Sequence, residues 1–319
     1  MDEFGLIARY FTRSPRGSLV LLGVGDDAAL VAPLQAGSAY ALTTDTLVAG
    51  VHFLSDAPGF DVGYKALAVN VSDLAAMGAR PVGFLLNLSL PTLDEAWLAR
   101  FRDGLFALAD TLALDLIGGD TVRGPLAVTV TALGEVPAES ALRRDGARVG
   151  DRIYVTGFLG EAALGFFLRA GRLELPEAFH EQVLGRLDRP IPRIIEGQAL
   201  RGVASAAIDI SDGLVADLGH ILKASGVGAS VDLHRLPFSD AYDAAFAQVG
   251  FEAALSFGDD YELCFTVAPD RVEALNGFMS RFPCACHYIG DITADTGLTL
   301  FDGAAPYTPQ GLGFNHFHE

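Results

Sequence analysis

Apolar residues recur along this chain at two spacings, and the helical one is clearest in YKALAVNVSDLAAMGARP. There Tyr64, Leu67, Ala68, Val71, Leu74 and Ala75 fall at i, i+3, i+4 and i+7, which predicts one amphipathic helix over Tyr64–Pro81. Gly78 is its expected stop, and Pro81 bars continuation. Asp73 interrupts the Ala- and Leu-rich surface, with Asn70 one turn back on the same face. A carboxylate there is costly unless something pairs with it. A solvent-facing helical Asp is the plainer account; similar aspartates elsewhere weaken it.

Around that helix the pattern predicts strands. Ser18–Val24 reads as a buried strand entering Gly25-Asp26-Asp27, and Ala39–Leu42 as a second, breaking into Thr43-Thr44-Asp45-Thr46. Val82–Leu90 is a strand closed by Pro91, and Leu93–Ala113 a long helix holding the only tryptophan, Trp97. Leu116–Ile117 enters Gly118-Gly119-Asp120-Thr121, and Leu126–Leu133 alternates as a strand does. Such an order suits a sheet backed by two helices.

The polar, Pro- and Gly-containing stretch Glu135–Gly150 marks a boundary, which divides the chain into residues 1–137 and 138–319. Beyond it the pattern predicts strands at Arg152–Thr156, Ala206–Ile210, Ala229–Leu233, Tyr261–Val267 and His287–Ile289. Helices are expected at Glu161–Ala170, Ser211–Ser225 and near Arg271–Arg281, with Arg172–Arg193 irregular or helical surface. Two domains of ordinary size fit the 319 residues, half of them hydrophobic.

Charge narrows the function. A net charge of −18 argues against nucleic acid or anionic membrane as partner. No apolar run is long enough to span a bilayer, and the early acids of MDEFGLIARYF argue against a signal peptide, so a cytoplasmic protein is expected. Cys264, Cys284 and Cys286 are odd in number and read as buried or free thiols. Only two lysines, Lys65 and Lys223, stand against 20 arginines, and neither ends a P-loop. A phosphate substrate is then left to metal ions and backbone amides, with arginine in support.

Asp26, Asp27, Asp45, Asp73, Asp120, Asp209 and Asp212 supply the chemistry; most stand where an apolar strand gives way to a Gly- or Thr-rich loop. Strand ends of one sheet converge, and converging carboxylates without basic partners call for hard divalent cations, Mg²⁺ rather than zinc where Thr and Ser oxygens join them. Turns and helix capping explain any one of these residues, Asp212 especially, but explain the set poorly. Gly118-Gly119-Asp120 and Gly157–Gly160 place small residues where backbone meets a ligand, and the latter opens a helix able to take phosphate. Arg144, His52 and the aromatic tail Gly313-Phe314-Asn315-His316-Phe317 complete the candidates, each with a purely structural alternative.

GVGDDAAL, TTDTLVAGVHF, YKALAVNVSDLAAMGARP, LIGGDTVRGPL, AIDISDGLVADLGHILKAS and GDDYELCFTV together resemble the motifs of the thiamine-monophosphate kinase family, which belongs with the aminoimidazole ribonucleotide synthetase-like ATP-binding enzymes. The resemblance implies an α+β / α/β architecture: an N-terminal sheet with helices on one face that binds ATP and Mg²⁺ and pairs with a second subunit, plus a C-terminal α/β domain completing the active site. It implies metal ligands at Asp27, Thr43, Thr44, Asp45, Asp73, Asp120, Asp209 and Asp212. Nucleotide contacts fall on Gly119, Asp120, Arg144 and Ser211, and substrate contacts on His52, Asp259 and Phe314. Where the family commonly has G-G-E-D-Y-E-L, this chain has Phe257-Gly258-Asp259-Asp260, one methylene shorter at the substrate carboxylate. Thr43 replaces a common Ser and keeps the hydroxyl.

The implied activity is ATP-dependent, Mg²⁺-assisted phosphorylation of thiamine phosphate to thiamine diphosphate by a homodimer. A phosphate monoester is largely ionised near neutral pH, its second pKa being about 6, so no general base is required and none is assigned. Relatives acting on other acceptors fit less well, since no Cys precedes Cys264 and the chain ends His-Phe-His-Glu. A non-catalytic cation- or nucleotide-binding regulator would not need the whole set of metal positions.

Overall fold

The structure, a computed structural model, describes residues 3–26, 28–279 and 284–314. Two compact units make up the chain, one formed by Met1–Leu74 and Ala79–Glu139, the other by Ala75–Gly78 and Ser140–Glu319.

In chain order the first unit holds α1 (Glu3–Tyr10), β1 (Val20–Leu22), β2 (Leu30–Val31), β3 (Ser38–Val48), α2 (Gly59–Ala76), β4 (Arg80–Leu90), α3 (Glu95–Thr111), β5 (Asp115–Arg123) and β6 (Ala127–Pro137). A four-stranded sheet runs β3-β6-β4-β5, with only the β4–β5 pair parallel. One face is apolar and closed, with Leu47, Phe84, Leu86, Val128 and Val130 buried. Leu42, Leu85 and Val122 are exposed on strands of the same sheet.

Three expectations change here. Ser18–Val24 is no buried sheet strand: only Val20–Leu22 is extended, it pairs with β2 alone, and Leu21 is 65% exposed. The Thr-rich run after Leu42 does not break the strand. The ladder from β3 to β6 continues from Ser38 opposite Pro137 to Val48 opposite Ala127, because threonine suits a pleated, half-exposed surface as well as apolar residues do. Likewise β5 continues through Gly118–Arg123, with Asp120 opposite Asn87. Asp45 and Asp120 are therefore strand residues and not loop residues.

Helix α2 starts five residues before the periodic pattern does. Its first turns are glycine-spaced where they meet α3: a Cβ on Gly63 would lie 2.1 Å from Phe101 O, and one on Gly104 1.8 Å from Phe60 O. A pattern read from large side chains misses an interface built by absent ones. Asp94 caps α3, its carboxylate accepting the N–H groups of Ala96 and Trp97 at 3.0 and 3.1 Å.

The second unit holds β7 (Arg152–Thr156), α4 (Glu161–Arg169), α5 (His180–Asp188), α6 (Ile194–Leu200), β8 (Ala204–Asp209), α7 (Leu214–Ser225), β9 (Gly228–Asp232), α8 (Asp240–Val249), α9 (Glu252–Ser256), β10 (Leu263–Val267), α10 (Val272–Met279), β11 (Cys286–Thr293), β12 (Gly297–Asp302) and β13 (Ala305–Tyr307). Its seven strands run β13-β12-β9-β11-β7-β10-β8, all antiparallel except β12 beside β9. Ile153, Val155, Ile208, Leu218, Ile221, Val231 and Ile289 form its core. The stretch Arg172–Arg193 resolves into α5, which buries Val183 and Leu187. The sequence pattern gave no sign of α6, α8 and α9, whose runs are short and mixed.

Candidate active site

In the first unit the candidate donors project from regular structure. Asp73 lies near the end of α2, and the Thr43 hydroxyl on β3 donates to its Oδ2. Asn70, one turn back, is fully buried: its Oδ1 accepts the Asp45 N–H at 3.0 Å and its Nδ2 donates to Ala66 O at 3.1 Å. The first bond ties β3 to α2 where Asp45 emerges, exposed, and the second holds the amide within α2. Thr44 points elsewhere, its hydroxyl donating to Val130 O at 3.1 Å and lying 3.0 Å from Thr131 Oγ1.

On β5, Gly119 has φ +146°, and a Cβ there would lie 1.8 Å from Leu86 O. Only glycine fits, so the backbone approaches β4 closely just before Asp120. Asp120 is exposed, and its Oδ1 accepts the Thr121 N–H at 2.8 Å. His52 accepts the Val48 N–H on Nδ1 at 3.0 Å, which puts the proton of the neutral ring on Nε2. Asp27 lies outside the described residues, as do Asn315, His316 and Phe317. A depression of about 440 Å³ lined by Arg9, Arg13, Arg102 and Asp110 contains none of the candidates.

In the second unit the donors sit on a loop. Asp209 ends β8 and is buried; Ser211 and Asp212 follow, part-exposed. Helix α7 has Gly213 as its N-cap with no side-chain cap, so capping does not account for Asp212. Ile210 O accepts the Tyr261 N–H and Ser211 O the Asp259 N–H, both at 2.8 Å, while Asp212 O accepts the Phe314 N–H at 2.9 Å. Asp259 and Tyr261 both have positive φ, +62° and +51°. For tyrosine that region is strained, and strain of this kind collects at ligand-holding segments. The Phe314 ring is 46% exposed. Arg144 is exposed, and its carbonyl accepts the Ser225 hydroxyl at 2.9 Å.

Gly157–Gly160 has another purpose than the sequence suggested. The N–H of Gly160, at the start of α4, donates to both carboxylate oxygens of Asp260 at 2.9 and 3.0 Å. A carboxylate of the chain itself occupies the place a phosphate would take. Burial pushes the Asp260 carboxyl well up, against the pull of the Gly160 N–H. At Gly157 a Cβ would lie 2.2 Å from Glu262 Oε1, so the close approach there is to protein.

Two buried acids that sequence reasoning passed over organise this unit. Glu262 is bridged by Arg193, whose Nε donates at 2.6 Å, and by the Thr156 hydroxyl, also at 2.6 Å. Asp217, 2% exposed, takes three backbone N–H groups on its Oδ2: Ser211 at 3.0 Å, Asp212 at 3.0 Å and Gly213 at 3.1 Å. Burial pushes its carboxyl up to about 7, and the amides of Asp212, Ser211 and Gly213 oppose this. The signal for Asp217 was available: an acid inside the apolar turn LVADL, where a bare carboxylate needs partners.

Among the described residues no three His, Cys, Asp or Glu side chains stand together as a ready metal cage. The donor chemistry nonetheless fits a hard divalent cation, since every candidate offers carboxylate or hydroxyl oxygen. The three cysteines are free, and burial pushes each thiol up, Cys286 to about 12, which favours the protonated thiol. No helix among the described residues is long and apolar enough to cross a membrane.

The family model for the N-terminal domain of AIR synthase related proteins matches residues 25–136, and that for the C-terminal domain matches residues 148–303. A thiamine-monophosphate kinase of Escherichia coli (strain K12) is 49% identical over 319 residues, covering 99% of this chain and 98% of that protein. The crystal structure of thiamine-monophosphate kinase from Stenotrophomonas maltophilia K279a superposes with a TM-score of 0.84 at 48% identity, covering 90% of this chain and 93% of that one. AaThiL complexed with AMPPCP and TMP gives 0.78 at 33% identity and covers 92% of each chain.

Proposed function

This chain belongs to the AIR synthase related family and, within it, to the thiamine-monophosphate kinases, and from that membership we propose that it transfers the γ-phosphoryl group of ATP to thiamine phosphate, giving thiamine diphosphate and ADP. The observation that carries the proposal is a likeness running end to end through both units, with a relative of the same fold holding AMPPCP together with TMP.

The attacking group is a phosphate monoester oxygen, largely ionised near neutral pH, so the protein need not supply a base. What it must overcome is repulsion between polyanions, on the order of 4 kcal/mol for each pair of like charges 4 Å apart at an effective dielectric near 20. Mg²⁺, when bound, would supply the neutralising charge and polarise the transferring phosphoryl group. In the first unit Asp27, Asp45, Asp73 and Asp120 would hold it, with the Thr43 hydroxyl; the Thr44 hydroxyl, expected in that set, is instead turned to Val130 O and Thr131. In the second unit Asp209 and Asp212 are the donors. The Thr43 hydroxyl holds Asp73 Oδ2, and Asn70 holds the backbone at Asp45.

Gly119, Asp120, Arg144 and Ser211 hold the nucleotide. At the acceptor, the Phe314 face attracts the thiazolium cation, worth about 0.5–2 kcal/mol depending on desolvation, while Asp259 and His52 bind the organic part. Of these groups, residues 1–137, read as the ATP- and Mg²⁺-binding and dimerisation domain, carry Asp27, Thr43, Asp45, Asp73, Gly119, Asp120 and His52, and residues 138–319 carry Arg144, Asp209, Ser211, Asp212, Asp259 and Phe314. Leu42, Leu85 and Val122, exposed on one sheet, support a homodimer joined through the N-terminal sheet, which light scattering at micromolar concentration tests. Release of ADP with thiamine phosphate but not with thiamine is the expected result; equal release with both would refute the acceptor assignment.

A further inference from the structure

We infer that Asp217 is the positioning residue that sets the metal-holding and acceptor-holding groups of the second unit relative to one another, an inference that rests on the reading of Asp209, Asp212, Asp259 and Phe314 given above. The loop between β8 and α7 has two hydrogen-bonding sides. Its three successive amides, from Ser211, Asp212 and Gly213, converge on one oxygen of Asp217 at 3.0–3.1 Å. Such a nest of amides commonly collects an external anion. Here a carboxylate from the first turn of α7 fills it, so these amides are not the groups that meet nucleotide phosphate.

The loop's carbonyls face away. In a trans peptide the C=O and N–H point in opposite directions, and the described chain contains no cis bond. Holding the Asp212 N–H on Asp217 therefore aims Ser211 O outward, where it accepts the Asp259 N–H at 2.8 Å. Holding the Gly213 N–H aims Asp212 O outward, where it accepts the Phe314 N–H at 2.9 Å. One buried side chain thus orients the peptide of a candidate metal ligand and, through the same two peptide planes, the backbone of both acceptor contacts.

Two further contacts seat the tail beside this loop, one on α7 and one on α9. A Cβ on Gly313 would lie 2.5 Å from Ala216 Cβ, so the tail lies directly against the start of α7. The Ser256 hydroxyl donates to Gly311 O at 2.8 Å and fixes the preceding turn of the tail. Asp217 itself is 2% exposed and touches no substrate, so its effect passes entirely through the loop.

The test compares Asp217→Asn, which keeps size but removes charge, with Leu222→Ala, which loosens the same helix from its buried side without touching the loop. With thiamine phosphate, ATP and Mg²⁺, Asp217→Asn should raise the KM for thiamine phosphate and the Mg²⁺ concentration for half-maximal rate roughly tenfold, because charge-assisted bonds are the strong ones. Leu222→Ala should lower the thermal midpoint and leave both values near wild type. An Asp217→Asn protein that loses thermal stability alone, with both values unchanged, overturns the positioning role. Residue-resolved amide exchange on the wild-type protein covers a variant that does not fold: the amides of Asp212 and Gly213 should be protected as strongly as the core of α7, and exchange at open-loop rates overturns the inference. Wild-type protein that forms no ADP from ATP and thiamine phosphate overturns the acceptor reading instead, and the amide protection then decides the orientation of the loop.

Discussion

The two units hold their candidate donors by different means. In the first, Asp45 and Asp120 are members of a continuous sheet and Asp73 of a long helix, so ladder register and helix packing decide where each carboxylate stands. In the second, Ser211, Asp212 and Asp259 lie on irregular backbone, part of it at positive φ, and buried acids hold that backbone from behind. A sheet positions side chains to within its own rigidity but offers few angles. A loop offers any angle and must be fixed by additional bonds, which here come from Asp217 and Asp260.

The largest expected effect breaks the first arrangement without disturbing its scaffold. Asp120 is exposed, so Asp120→Asn should fold normally and reduce turnover to background; near-normal turnover at saturating Mg²⁺ would remove it from the ligand set. The second arrangement is expected to fail through stability. Arg193→Met strips buried Glu262 of its nearest cation, leaving only the Thr156 hydroxyl and Arg186 at 3.9 Å, and should cost about 3–5 kcal/mol, measured by denaturant unfolding, while Arg193→Met with Glu262→Met should recover much of the loss. A single variant as stable as wild type would show the ion pair to be dispensable.

Asn70→Ala sharpens the comparison. Asn70 does for β3 what Asp217 does for the α7 loop, but with a neutral amide. Leaving the Asp45 N–H without its buried partner should cost about 1–3 kcal/mol of stability. Activity should fall less than in Asp217→Asn, since the ladder to β6 still holds Asp45 in place. A larger activity loss for Asn70→Ala would mean that the sheet does not position its donors unaided. The smallest effect belongs to Phe314→Ala, expected to raise the KM for thiamine phosphate about 2- to 30-fold while leaving that for ATP near wild type. If both values move together and the thermal midpoint falls, the tail is packing only.

Much of the first unit was legible because its helices and strands are long and strongly periodic: β4 and α3 lie within two residues of where apolar spacing put them. The same reasoning stopped β3 and β5 too early, since it took Thr and Gly runs as breaks. Polar residues on an open sheet face carry no burial signal, and only the partner strand shows that the ladder continues. The acidic positions were visible one by one in sequence. Their supports were not, because an acid such as Asp217 declares its role only through three amides brought to it by the turn before α7. Gly157–Gly160 misled for a related reason: small residues signal a close approach without saying to what, and here the neighbours are Asp260 and Glu262.

Phosphorus NMR of the purified protein with ATP, Mg²⁺ and thiamine phosphate tests the central claim most directly. The account predicts that the monoester resonance of thiamine phosphate gives way to the paired resonances of a diphosphate, in step with conversion of ATP to ADP and without inorganic phosphate. Loss of ATP with inorganic phosphate accumulating and the monoester resonance unchanged would contradict it.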